Sequence, residues 1–255
     1  MTIIPSIMPQ ISLTPKFIPP RDGRIVILTG AGISKESGLD TFRDAGGLWS
    51  QVRVEDVTTP EAFARDPERV RAFYNMRRRK HHSLEFHPNA AHLALVRLEQ
   101  MWPGEVIVIT QNVDELHDRA GTRNLIHMHG MIANIRCHFC GHTKKSAEDI
   151  SADAVCTLCA RAGGARPDVV WFGETPRDLD RIATVLSDCD LFISIGTSGN
   201  VYPAAGFVSA VRRSGTHTTE LNLEPSEGAR IFAEAHYGPA TQVVPAYVDA
   251  LLQTP

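Results

Sequence analysis

Short apolar runs recur along this chain at 25–28, 106–109, 191–195, 219–223 and 242–244, with helix-like patterns between them. The first, Ile25-Val26-Ile27-Leu28, has no polar alternate, which suits a strand buried on both faces of a parallel sheet. Strands alternating with helices predict an α/β fold with a Rossmann-like, doubly wound parallel sheet. Two stretches break the alternation: residues 45–87, rich in charge and helical pattern, and residues 131–166, with little apolar periodicity. Both are expected to be insertions that together form a smaller lobe over the sheet's edge.

Within the first insertion, Asp66 is a natural N-cap and Pro67 a natural first helical residue. The spacing of Val70, Phe73, Tyr74 and Arg77 predicts the inward face of an amphipathic helix reaching His82. Arg77 then occupies an apolar slot beside Tyr74. A phenol and a guanidinium on one side suit a carboxylate, which accepts charge-assisted hydrogen bonds.

The run 25–28 leads into Thr29-Gly30-Ala31-Gly32-Ile33-Ser34, a turn whose glycines let backbone N–H groups approach a pyrophosphate at a helix N-terminus. A G-x-G-x-x-G fingerprint needs glycine at 35, where Lys35 stands, so the dehydrogenase pattern fails. Other expected strand ends carry polar turns: Gln111-Asn112-Val113-Asp114, Gly196-Thr197-Ser198-Gly199, and Asn222 before Glu224. Ligands in open α/β folds bind outside the carboxyl ends of strands, so these turns form one candidate site.

The 255 residues carry a net charge of −3, which offers no global attraction for nucleic acid or an anionic membrane. No apolar run reaches the roughly 20 residues of a membrane span, and residues 1–20 are proline-rich without the layout of a signal peptide. The expectation is a cytoplasmic protein with a poorly ordered arm at 1–20. Four of the five cysteines form two C-x-x-C pairs, Cys137/Cys140 and Cys156/Cys159, separated by 15 residues. That spacing predicts one structural four-sulfur zinc site, closed to water and outside the chemistry. Cys189 is expected to be a free thiol.

Gly30 to Ser34 with Thr41-Phe42-Arg43, Gln111 to Asp114 with His117, His129-Gly130, the double C-x-x-C, Val169-Val170-Trp171-Phe172-Gly173-Glu174, and Gly196 to Ser198 with Tyr202 make an ordered set that resembles the sirtuins. The segments 45–49, 73–78 and 221–225 are similar to the bacterial class III (CobB-type) branch. The resemblance implies an NAD-dependent protein-lysine deacylase that releases nicotinamide and O-acyl-ADP-ribose. It also implies an NAD-binding domain of 21–44, 88–130 and 167–255, and a helical, zinc-binding domain of 45–87 and 131–166.

Carried over residue by residue, His129 is the general base, with Asn112 beside it. Gly30, Ala31, Gly32, Ser34, Thr41, Phe42, Arg43, Gln111, Asn112 and Asp114 hold the cofactor's reacting half and its phosphates. Gly196, Thr197, Ser198, Asn222 and Glu224 hold the adenosine side. Val169, Val170, Trp171, Phe172, Gly173 and Glu174 receive the acyl-lysine peptide as an added strand, with Tyr202 also on the substrate side. In class III members the Tyr-x-x-Arg pair, here Tyr74 and Arg77, reads malonyl and succinyl groups, and Ala45 leaves room for them. His127 and His129 alternate with Ile126 and Met128, so both imidazoles are expected on one face of a short strand. Mono-ADP-ribosyl transfer and a non-catalytic zinc-bearing binding module are the alternatives. No membrane or nucleic-acid partner is expected.

Overall fold

The computed structural model describes residues 13–39, 53–83 and 85–253. Along the chain the strands are β1 (Ile25–Thr29), β2 (Val106–Thr110), β3 (Leu125–His127), β4 (Gly130–Cys137), β5 (Thr143–Lys145), β6 (Ala165–Val169), β7 (Leu191–Ile195), β8 (His217–Asn222) and β9 (Glu234–Tyr237). The helices are α1 (Gly32–Lys35), α2 (Pro60–Arg65), α3 (Pro67–His82), α4 (Ala90–Met101), α5 (Leu116–Ala120), α6 (Leu179–Ser187), α7 (Phe207–Arg213) and α8 (Ala240–Gln253).

Six strands form one parallel sheet in the order β3-β2-β1-β7-β8-β9. Counted within the sheet this is the 3-2-1-4-5-6 order of a doubly wound nucleotide-binding fold. Successive residues of β1 point to opposite faces. Ile25 and Ile27 join a core with Leu95 and Leu98 of α4 and Val244, Tyr247 and Leu251 of α8. Val26 and Leu28 join a second core with Ile182 of α6 and Val208 and Val211 of α7. Both faces are therefore covered, and the central strands can be continuously apolar.

The expected strand at 242–244 is overturned, because these residues lie in α8. Val243, Val244, Tyr247, Val248 and Leu251 are buried and form a helical stripe that a three-residue window cannot distinguish from a strand. The sixth strand is instead β9, whose polar residues find partners elsewhere in the chain. The buried Glu234 accepts from His217, His236 and the backbone N–H of Lys16. Phe17 stacks on His217 at 5.0 Å, and Leu13, Phe17 and Ile18 pack against the main core. Residues 13–18 of the arm are thus docked, contrary to the expected disorder of 1–20.

The small antiparallel sheet has the order β5-β4-β6. It packs on α3, which begins as expected with Asp66 accepting from the Arg69 N–H and Pro67 in the first turn. Val70, Phe73 and Tyr74 of α3 share a core with Phe63, Ile132, Val169 and Trp171, so the two interrupting stretches do meet. Arg78 is buried, and its guanidinium donates to the carbonyls of Ile132, Asn134, Ser146 and Glu148, tying α3 to β4 and to the loop after β5. Arg71 does the same toward Gly163 and Ala165. Among the described residues no helix is long and apolar enough to cross a membrane.

Candidate active site at the carboxyl end of the parallel sheet

The turns after β1 and β7 interlock. A Cβ on Gly30 would lie 2.7 Å from the Gly196 carbonyl oxygen, and one on Gly32 would lie 2.7 Å from the Gly196 Cα. The glycines are required by this contact between two strand ends. Their N–H groups are engaged within the chain, Gly30 to the Ile195 carbonyl and Gly32 to that of Gly196.

The turn after β2 completes the cluster. Asn112 donates its side-chain amide to the Gly30 carbonyl and to Ser34 Oγ, each at 3.1 Å. Ser34 Oγ donates to Asp114 Oδ2 at 3.0 Å, and the Leu116 N–H donates to Oδ1 at 3.0 Å. Burial raises the Asp114 carboxyl pKa, and the bonds from Leu116 and Ser34 oppose that rise. A polar network this deep is costly unless its members are satisfied, and these bonds hold the side chains in register. Gln111 instead lines a cavity with Leu28, Phe192, Thr197 and Ser226, between the ends of β1 and β7.

His129 reaches this edge from the turn between β3 and β4. Its Nδ1 lies 3.1 Å from the Gln111 carbonyl, which can only accept, so Nδ1 carries the proton and Nε2 the lone pair. Burial lowers its pKa below 6.5 while the Gln111 bond pulls it upward, so the ring is neutral at pH 7. Gly130 fixes the turn: its φ is +78°, and a Cβ there would sit 2.1 Å from the Asp168 carbonyl oxygen. The expected common face for His127 and His129 does not form. The strand stops at His127, whose Nε2 pairs with Asp118, while His129 bonds Gln111.

On the other side of His129, its carbonyl accepts the Val170 N–H at 2.9 Å. Val169 ends β6, and the chain then turns, with Phe172 N–H bonding Thr58 and Glu174 N–H bonding Trp171. Phe172 is 52% exposed and Gly173 is exposed, whereas Trp171 is buried with its indole N–H 3.0 Å from the Tyr74 oxygen. Glu174 is committed to Arg166, which holds both carboxylate oxygens at 2.6 and 2.9 Å. Arg77 places its guanidinium 6.0 Å from the Tyr74 ring centroid, so the two are neighbours. Full burial belongs to Arg78, four residues after Tyr74, rather than to the half-buried Arg77.

On the far side, Asn222 donates to the Thr197 carbonyl at 2.9 Å, and Thr197 Oγ1 bonds Ser194. Ser198 accepts from the Asn200 N–H. Glu224 is exposed, and Tyr202 is 77% exposed. Thr41, Phe42, Arg43 and Ala45 lie outside the described residues.

Sequence reasoning missed Arg166, Arg78 and the buried Thr110–Thr29–His117 chain beneath the site, with links of 2.9 and 3.0 Å. Only Arg78 left a signal, its helical spacing from Tyr74.

The four cysteines converge. Cys137 and Cys159 sulfurs are 3.8 Å apart, Cys140 and Cys156 3.6 Å, and all four lie within 4.8 Å of one another. A zinc ion with thiolate bonds of about 2.3 Å separates its sulfurs by about 3.8 Å, so the set fits a closed tetrahedral site. The two knuckles share a turn, with Gly141 and Ala160 both at positive φ directly after the second cysteine of each pair.

A family model described as the Sir2 family matches residues 30–203. The NAD-dependent protein deacylase of Escherichia coli K12 is 54% identical over 230 residues, covering 90% of this chain and 82% of that protein. That of Caulobacter vibrioides is 54% identical over 232 residues, covering 90% and 97%. Among solved structures, a Sir2 homolog–NAD complex superposes with a TM-score of 0.81 at 38% identity, covering 89% of each chain. A Sir2 protein with a deacetylated p53 peptide and 3′-O-acetyl ADP-ribose gives 0.76 at 30% identity, covering 88% and 92%. With interlocked glycine turns, an anchored histidine and a four-cysteine cluster in one chain of this likeness, the protein belongs to the Sir2 family.

Proposed function

We propose that this chain is an NAD-dependent protein-lysine deacylase acting on cytoplasmic proteins. The observation that carries the reading is the placement of His129: its side chain bonds the Gln111 turn on the cofactor side, and its carbonyl bonds Val170 on the peptide side. One residue thus joins the two surfaces that must meet.

NAD supplies an activated ribose carbon for attack by the acyl oxygen, with nicotinamide as the leaving group. The chain's own residues do the rest. Asn112 and Asp114, locked through Ser34, present an amide and a carboxylate to the ribose and the carboxamide. His129 Nε2 takes a proton from a ribose hydroxyl, a role that a neutral imidazole fills at pH 7. Gln111 contacts the ribose, Thr197 and Ser198 line the adenosine half, and residues 169–174 receive the peptide backbone. Tyr74 and Arg77 read the acyl end, favouring groups that finish in a carboxylate while still admitting acetyl. Four thiolates leave a zinc ion no open position, so it stabilises the small lobe and takes no step.

Mass spectrometry of an acyl-lysine peptide incubated with NAD tests this. Free lysine, nicotinamide and O-acyl-ADP-ribose in equal amounts are expected. An unchanged peptide, or ADP-ribose left on the acceptor, overturns it.

A further inference from the structure

The indole of Trp171 reaches the Tyr74 phenol from within the protein, donating its N–H to the oxygen at 3.0 Å while the rings stand 6.3 Å apart at 42°. A phenol oxygen that accepts a hydrogen from one direction must aim its own O–H elsewhere, because two hydrogens cannot face each other. The Tyr74 O–H therefore points away from the indole and is left to donate on the other side of the oxygen. Burial raises the phenol pKa, so the donor hydrogen stays in place at neutral pH.

Trp171 is itself held. Its backbone N–H donates to Glu174 at 2.8 Å, and the Arg166 guanidinium lies 3.4 Å over its ring centroid. Arg166 is locked by both Glu174 oxygens and the Val169 carbonyl. A cation against the π face draws electron density from the ring and strengthens the N–H as a donor.

We propose that Trp171 is a specificity-setting positioning residue, whose indole N–H fixes Tyr74 as a donor and so biases the acyl pocket toward groups ending in an acceptor-only carboxylate. This rests on the carboxylate reading of Tyr74 and Arg77 above. A phenol freed from the indole can turn its hydrogen away or present its lone pairs, which a carboxylate repels.

The test compares acetyl, malonyl and succinyl peptides of one sequence on wild type, Trp171→Phe, Tyr74→Phe, the double variant and Arg77→Met. Trp171→Phe should lower the succinyl-to-acetyl ratio of kcat/KM about tenfold, through KM, and add nothing in the Tyr74→Phe background. Proportional losses on all three substrates, or an undiminished effect without the phenol, overturn the proposal. If Arg77→Met lowers the ratio and Trp171→Phe does not, the carboxylate reading stands and the Trp171 role falls. If neither moves it, or wild type ignores acidic acyl groups, both fall. An NMR readout guards against a misfolded variant: Tyr74→Phe should shift the Trp171 indole N–H resonance, and an unmoved resonance also overturns the proposal.

Discussion

His129 and Gln111 are joined side chain to backbone, imidazole Nδ1 to carbonyl at 3.1 Å, across 18 residues of chain. That single bond selects the tautomer and couples the turn after β2 to the turn before β4. Burial lowers the imidazole pKa from 6.5, so a rate that needs the neutral ring should be flat near pH 7 and fall only below that value. His129→Ala should cost roughly 10²–10⁴-fold in kcat. A pH profile of kcat/KM with its acid limb above pH 7 contradicts the assignment.

Arg77→Met should weaken acidic acyl substrates by about 2 kcal/mol through loss of a charge-assisted contact, while acetyl peptide loses much less. Steady-state kinetics on matched peptides measure this directly. Equal losses on all substrates remove the clamp.

His92 is buried, and burial lowers its pKa to about 4. Between about 4 and 6.5 the unfolded chain binds a proton at this ring that the folded protein does not, so stability is present above 6.5 and lost as pH falls. Denaturation midpoints should imply about 1–2 kcal/mol less stability at pH 5 than at pH 7.5 from this residue. His92→Gln should flatten that part of the profile. An unchanged slope in the variant refutes the attribution.

Ala160 holds φ +55° in the second zinc knuckle, at the position that Gly141 fills in the first. A left-handed backbone costs a β-carbon-bearing residue roughly 1–2 kcal/mol, part of which glycine returns as unfolded-state entropy. Ala160→Gly should stabilise the protein by about 0.5–1 kcal/mol, read as a higher denaturation midpoint. A lower midpoint contradicts it.

Elemental analysis should find one zinc per chain, and Cys140→Ser should abolish it. Metal removal should lower Tm and loosen β4, β5 and the loop held by Arg78, because site formation contributes directly to folding. Hydrogen exchange that leaves those elements as protected as before would exclude a structural metal.

The sequence by itself determined the parallel sheet, the cysteine cluster and the turns at the ends of β1, β2, β7 and β8. Each rests on local signals: continuous aliphatic runs, fixed cysteine spacing, and polar turns directly after strands. Tertiary structure decided what local pattern cannot carry. The apolar stripe at 243–251 became a helix, and the polar segment 234–237 became a strand, because burial partners came from distant chain. Arg78 rather than Arg77 went fully inside, since carbonyls of β4 and of the loop after β5 were there to receive it. His127 and His129 parted because the chain turns at Gly130, where φ is +78° and a Cβ would lie 2.1 Å from the Asp168 carbonyl oxygen, before a strand face could continue. Hydrogen-bond partners for buried polar groups are set by the assembled neighbours, and those neighbours are far apart in sequence.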